Sequence, residues 1–110
     1  MQAVLDRDLL SVRIDTERLS DPVDPALLFD VPVSEVWFEI GFGAGEHLAA
    51  QAENHADIGV IGAEIFENGI ASLLRHRDER GLTNIRILTQ DAREFLPRLS
   101  DGSLKRVYLL

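Results

Sequence analysis

Cysteine is absent from this chain of 110 residues, which excludes disulfides and thiolate metal sites and suits a cytosolic protein. Basic residues are in deficit. Eleven Lys and Arg stand against 19 Asp and Glu, a formal net charge of −8, so the chain by itself is poorly suited to grip a phosphate backbone, where non-specific affinity comes from clustered cations. The short cluster from Arg75 to Arg80 is interleaved with Asp78 and Glu79 and reads as a solvated helix face. No apolar run approaches the roughly 18 residues of a membrane span, and Asp6, Arg7 and Asp8 stand where a signal peptide would have its apolar core. A soluble, cytoplasmic protein is expected. His47 and His55 could share a helix face, but no third ligand accompanies them, so no metal site is expected. Internal repeats and low-complexity tracts are missing too, and nothing supports a second globular domain.

What is present is concentrated between Val36 and His47, in the run Val-Trp-Phe-Glu-Ile-Gly-Phe-Gly-Ala-Gly-Glu-His. Val36, Trp37, Phe38 and Ile40 form the apolar, β-prone run of a parallel strand covered on both faces, with Glu39 near its end. Gly41, Gly43 and Gly45 alternate through the following turn, where missing side chains permit positive φ and let a ligand lie on the backbone. Glu46 to Asn54 reads as a helix whose free N–H groups point back at that ligand. A dinucleotide fingerprint needs glycine or alanine at position 46. Glu46 stands there, and its carboxylate would repel a pyrophosphate while tolerating a sulfonium cofactor that carries an ammonium group and no phosphate. S-adenosylmethionine is therefore favoured over NAD.

The βα rhythm continues. Ile58 to Ile65 reads as a second strand, and Glu64, some twenty residues past the glycines, is either a solvated strand-end residue or an acceptor for both ribose hydroxyls. Phe66, Ile70, Leu73, Leu74 and Arg77 share one face of a helix that Gly81 ends at its C-cap. Ile85, Ile87 and Leu88 begin a third strand. Asp91 follows it, placed to cap the next helix, to accept an adenine amino group, or to do both. Phe95, Leu96 and Leu99 mark that short helix, Asp101-Gly102-Ser103 a turn, and Val107 to Leu110 a fourth apolar strand. Glu39, Glu64 and Asp91 thus stand at the carboxyl ends of successive strands, the rim where open α/β sheets bind ligands.

The words Phe-Glu-Ile-Gly-Phe-Gly-Ala-Gly-Glu-His-Leu, Ile-Gly-Ala-Glu-Ile-Phe-Glu-Asn-Gly-Ile, Asn-Ile-Arg-Ile and Asp-Ala-Arg-Glu-Phe-Leu, followed by Arg-Val-Tyr-Leu-Leu, closely resemble the bacterial tRNA (guanine-N7)-methyltransferase family. The resemblance covers roughly Val36 to Leu110. It implies a Rossmann-like class I methyltransferase fold, an α/β structure with a partial parallel sheet of about four strands in the order 3-2-1-4 between flanking helices. It also implies that Glu39 holds the methionine end of S-adenosylmethionine, Glu64 its ribose and Asp91 its adenine, with the backbone of Gly41, Gly43 and Gly45 against the middle. The parent activity it implies is methylation of N7 of the variable-loop guanine of tRNA. The family's Phe-Pro-Asp-Pro-Trp motif and its catalytic aspartate would both fall after Leu110, so the chain is expected to be a fragment, inactive alone, and no catalytic residue can be named within it.

Residues 1–35 are expected to form a leader packed against the sheet, and residues 36–110 the truncated cofactor-binding domain. In the leader, Val4, Leu5, Leu9 and Leu10 suggest a short helix or turn, Val12 and Ile14 a brief extended piece, and Ala26 to Phe29 one helical turn after Asp21-Pro22 and Asp24-Pro25. The rivals are a non-catalytic nucleotide-binding or structural α/β module and a small-molecule methyltransferase. Self-association is expected through the edge of the fourth strand, which would lack a neighbour.

Overall fold

The computed structural model describes residues 2–109, with side chains from Arg7 onward. Four parallel strands form one sheet in the order β3-β2-β1-β4: β1 is Glu35–Ile40, β2 is Ile58–Ala63, β3 is Ile85–Leu88 and β4 is Arg106–Leu109. Helices α1 (Gln2–Val12), α2 (Glu46–Asn54), α3 (Glu67–Arg80) and the single turn α4 (Ala92–Phe95) surround it, with 3-10 turns at Thr16–Arg18, Pro25–Leu28 and Leu96–Arg98.

Alternation along the strands divides the core in two. Trp37, Ile58, Val60, Ile85 and Ile87 face α2 and α3 and pack with Leu48, Ala49, Ala52, Ile70, Leu73 and Leu74. Val36, Phe38, Ile61, Ala63 and Leu88 face the opposite way, onto Ile14, Phe29, Ala92 and Phe95. Both faces of β1 and β2 are therefore buried, which is why their sequences are nearly continuous apolar runs rather than alternating ones. Ahead of β1, Arg13 bridges to Ile87 of β3, Val23 bridges to Leu99 after the last 3-10 turn, and Val12, Ile14 and Val23 are buried.

Some expected boundaries shift. α2 spans the residues expected of it, and Gly81 caps α3 with φ 63°. β2, however, stops at Ala63 rather than Ile65, because the Glu64 side chain accepts hydrogen bonds from the N–H groups of Ile65 and Phe66 and turns the chain there. Phe66 is consequently the N-cap of α3 and 70% exposed, not part of its buried stripe. Val12 closes α1 instead of lying in an extended piece. Pro97 lacks an N–H, and the short helix after Asp91 accordingly passes from α4 into a 3-10 turn. Val4 and Leu5 have side chains outside the described set, and Leu110, expected in β4, lies outside it altogether.

Candidate cofactor site

The turn from β1 to α2 adopts the backbone its glycines allow: φ is 70° at Gly41, 61° at Gly43 and 87° at Gly45, a region costly for side chains with a Cβ. A Cβ at Gly43 would meet nothing within 4 Å, so the loop presents open backbone there. A Cβ at Gly45 would lie 2.9 Å from the Leu73 side chain. Phe42 instead turns inward and is buried.

Glu64 sits across from this turn. Its Oε1 accepts from the Gly43 N–H at 2.9 Å, and its Oε2 from the N–H groups of Ile65 at 3.1 Å and Phe66 at 3.3 Å. A carboxylate offers about four lone-pair sites, so these three bonds nearly fill it and hold it in one orientation. Two clefts share this residue. One, of about 190 Å³, is lined by Ile40, Gly41, Glu64, Ile65, Gln90 and Asp91 among others. The second, of about 240 Å³, is lined by Gly43, Ala44, Glu64, Phe66, Asn68 and Gly69. Ile65 and Phe66, 63% and 70% exposed, supply an apolar flank beside the acid. The arrangement suits a ligand with a hydroxyl-bearing centre at Glu64 and arms in both directions, the usual mix of apolar lining and a few fixed polar groups.

Asp91 caps α4, its Oδ1 accepting from the Arg93 N–H at 2.9 Å, and it pairs with the Arg93 guanidinium at 2.6 Å. The Arg93 side-chain hydrogen bonds, with help from its backbone N–H, hold the Asp91 carboxyl down to about 2, so it is an anion at any physiological pH at the rim of the first cleft, with both oxygens engaged by Arg93.

Glu39 is placed differently. It is 1% exposed and lines neither cleft. Its Oε1 lies 2.5 Å from His47 Nδ1 on α2, while its Oε2 is buried with no hydrogen-bond partner among the described residues. Burial pushes the Glu39 carboxyl above its ordinary value, with the His47 contact opposing the shift. His47 and His55 do not converge: His55 is the C-cap of α2 and its ring lies 4.8 Å from that of Trp37.

Two residues at the site go beyond what the spacing of the sequence indicates. His47 as the partner of Glu39 depends on how α2 lies over β1, and nothing local announces it. Gly69 is a packing requirement: a Cβ there would come within 2.2 Å of the Gly43 carbonyl oxygen, so α3 can approach the glycine turn only with glycine at this position. Its place three residues after Phe66, in the Glu-Asn-Gly-Ile run, is the one available hint.

Comparison with known proteins identifies the family. Residues 34–110 match the model of a family described as "Putative methyltransferase". A tRNA (guanine-N(7)-)-methyltransferase of Paramagnetospirillum magneticum is 57% identical over 89 residues, covering 80% of this chain and 37% of that protein. The protein of the same name from Caulobacter sp. strain K31 is 44% identical over 109 residues, covering 99% of this chain and 46% of that protein. The chain thus spans less than half the length of these curated relatives. Among solved structures, one titled an antibiotic-related methyltransferase superposes with a TM-score of 0.57 at 18% identity, over 71% of this chain and 41% of that one. YjhP from E. coli superposes with a TM-score of 0.54 at 16% identity, over 96% of this chain and 42% of that one. These two speak for the fold alone. The chain belongs to the methyltransferase family whose curated members matched here are tRNA (guanine-N(7)-)-methyltransferases.

Proposed function

We propose that this chain is the S-adenosylmethionine-binding portion of a cytoplasmic tRNA (guanine-N7)-methyltransferase, with residues 1–35 as a leader and 36–110 as the cofactor domain. The observation that carries the reading is Glu64, a carboxylate fixed by three backbone N–H groups at the junction of two clefts, one bounded by Gly43 and the other by Asp91. Glu64 accepts the ribose hydroxyls, Asp91 accepts from the adenine amino group in place of one of its Arg93 contacts, Ile65 supplies an apolar surface for the ring, and the open backbone of Gly41 to Gly45 takes the sulfonium-bearing middle. Glu39 serves the methionine end. Two hydroxyl bonds need two lone pairs where one is left free, so the longest present bond, from the Phe66 N–H at 3.3 Å, is the one expected to give way.

The bound cofactor supplies an activated methyl group. Guanine N7 carries an in-plane lone pair and is an acceptor, so attack needs no prior deprotonation and no general base. What the protein contributes is alignment and charge complementarity. With a net charge of −8 this chain grips tRNA poorly by itself, and no described residue is assigned to hold the guanine. Alone, it is expected to transfer no methyl group to tRNA.

Calorimetric titration with S-adenosylhomocysteine tests the reading. Two hydrogen bonds to a charged acceptor, each worth about 1.5 to 3 kcal/mol, less the Phe66 bond that one of them displaces, leave a net effect near that of one bond, so Glu64→Ala is expected to bind roughly ten- to hundredfold more weakly. Glu64→Gln, which keeps one acceptor oxygen, falls between. Equal affinity in all three proteins, each with the wild-type circular dichroism spectrum, removes Glu64 from the site.

A further inference from the structure

Glu39 is the most deeply buried carboxylate among the described residues, at 1% exposure against 9% for Glu64. Among the described residues only His47 bonds to it, at Oε1, and Oε2 is left buried without a partner. Gln51, one turn further along α2, approaches the other ring nitrogen of His47 with its Nε2 at 3.5 Å. His47 Nδ1, set against the carboxylate oxygen, is placed to donate to Glu39. An ionised carboxylate with one oxygen stranded away from water is an unfavourable state unless a cation meets it. Glu39 stands two residues before Gly41, where the ligand-facing turn begins.

We propose that the Glu39–His47 pair is a proton-linked acceptor: an ammonium group bound at the methionine end of the site becomes the donor to Oε2, and the pair gives up its extra proton to solvent. This rests on the S-adenosylmethionine reading above, and makes His47 a positioning residue that acts through Glu39. The balance is simple, since one proton leaves the pair and one N–H···O contact forms, with no other bond made or broken. Burial pushes the Glu39 carboxyl upward, the direction that favours a proton on the pair before the ammonium arrives.

The other titratable groups near the pair leave this assignment standing. Register places Tyr108 of β4 and Gly62 of β2 beside Glu39. The Tyr108 ring meets His47 edge-on at 5.0 Å, and its hydroxyl faces Arg106 at 3.3 Å. The Arg106 guanidinium is spent over the Trp37 ring at 4.6 Å, His55 lies against that same ring, and Glu46 in the first turn of α2 is exposed. None of them bonds to the Glu39 carboxylate.

The test is calorimetric titration of S-adenosylhomocysteine into the full chain between pH 5.5 and 8, in pairs of buffers with different ionisation enthalpies. The wild type is expected to release up to about one proton per cofactor, its affinity rising by up to about tenfold per pH unit in the window where the pair titrates. Glu39→Gln is expected to release none from this site and to bind with little pH dependence. His47→Phe keeps a ring against Tyr108 but removes the donor, so its affinity curve moves to higher pH, and His47→Asn, whose amide N–H can take the place of Nδ1, restores part of the shift. Binding by the wild type with buffer-independent heats, or proton release by Glu39→Gln equal to that of the wild type, overturns this inference alone. Failure of the wild type to bind at all overturns the cofactor reading and this inference with it.

Discussion

At the scale of single residues, the acidic positions and glycines were readable because each sits at a place the chain pattern defines: the end of an apolar run or the gap before a helix. What they bond to was not readable. Glu39 was expected to face a ligand, and its first partner is His47, eight residues on and on another element. That contact has a consequence measurable without ligand. Burial holds the Glu39 carboxyl above the ordinary glutamate value of 4.5, so between that value and its folded pKa the native state binds more protons than the unfolded state, and stability falls as pH rises through the window. Glu39→Gln, which cannot ionise, is expected to match the wild type in thermal unfolding below pH 4.5 and to exceed it at neutral pH. A variant less stable than wild type at pH 7 contradicts this. Gly69 offers a second case. Alanine is the better helix former by about 1 kcal/mol, yet its Cβ would stand 2.2 Å from a backbone oxygen in the turn, and backbone cannot swing away. Overpacking of about 1–3 kcal/mol is expected to win, giving Gly69→Ala a lower Tm, and an unchanged or higher Tm would show that the turn yields freely.

Whole elements were legible where two cues agreed. α2 has glycine before it and a buried face of Leu48, Ala49 and Ala52, and α3 ends at a glycine with positive φ. Boundaries went astray where one cue stood alone. Phe66 continues the spacing of Ile70 and Leu73, but periodicity does not say where a helix begins, and the Glu64 side chain fixes that point through tertiary hydrogen bonds. Ile65, apolar and β-prone, extends β2 in sequence but not in space for the same reason. Asn84 shows a tie between elements that no pattern reveals. Its amide donates to the carbonyls of Ala52 at the end of α2, His55 at the cap and Ile58 at the start of β2, at 3.0, 3.1 and 2.8 Å. It locks the α2–β2 connection to β3. Asn84→Ala leaves buried acceptors unpaired and is expected to cost about 1–3 kcal/mol, lowering Tm by roughly 4–8 °C per kcal/mol. A loss under one degree in a thermal melt would mean that water replaces the amide.

For the molecule as a whole, strand order and sheet direction followed from resemblance rather than from spacing, since local periodicity cannot say which strands are neighbours. The sheet has β3 at one edge, where Arg13 bridges to it, and β4 at the other. β4 pairs with β1 alone among the described residues, and its Val107 and Leu109 are 52% and 79% exposed. An edge with free backbone groups and apolar side chains is a template for a second copy, so sedimentation of the 110-residue chain is expected to show concentration-dependent dimers or larger species. A single monomeric species across the micromolar range would show the edge to be inert. The acidic balance makes a second whole-molecule prediction: at low salt, a gel shift with tRNA is expected to show weak binding, and a tight, salt-sensitive complex would contradict the view that this chain brings the cofactor rather than the RNA grip.

On the proposed reading, the carboxyl rim of this sheet holds S-adenosylmethionine across the glycine turn and Glu64. Amide chemical-shift mapping of the labelled chain during addition of S-adenosylhomocysteine tests it most directly. Saturable shifts are expected at Glu39, Gly41 through Gly45, His47, Ile65, Phe66 and Asp91 with its neighbours, the Phe66 amide moving as its bond to Glu64 gives way, and no such shifts with NAD. Shifts centred elsewhere, or an equal response to NAD at the same residues, would contradict it.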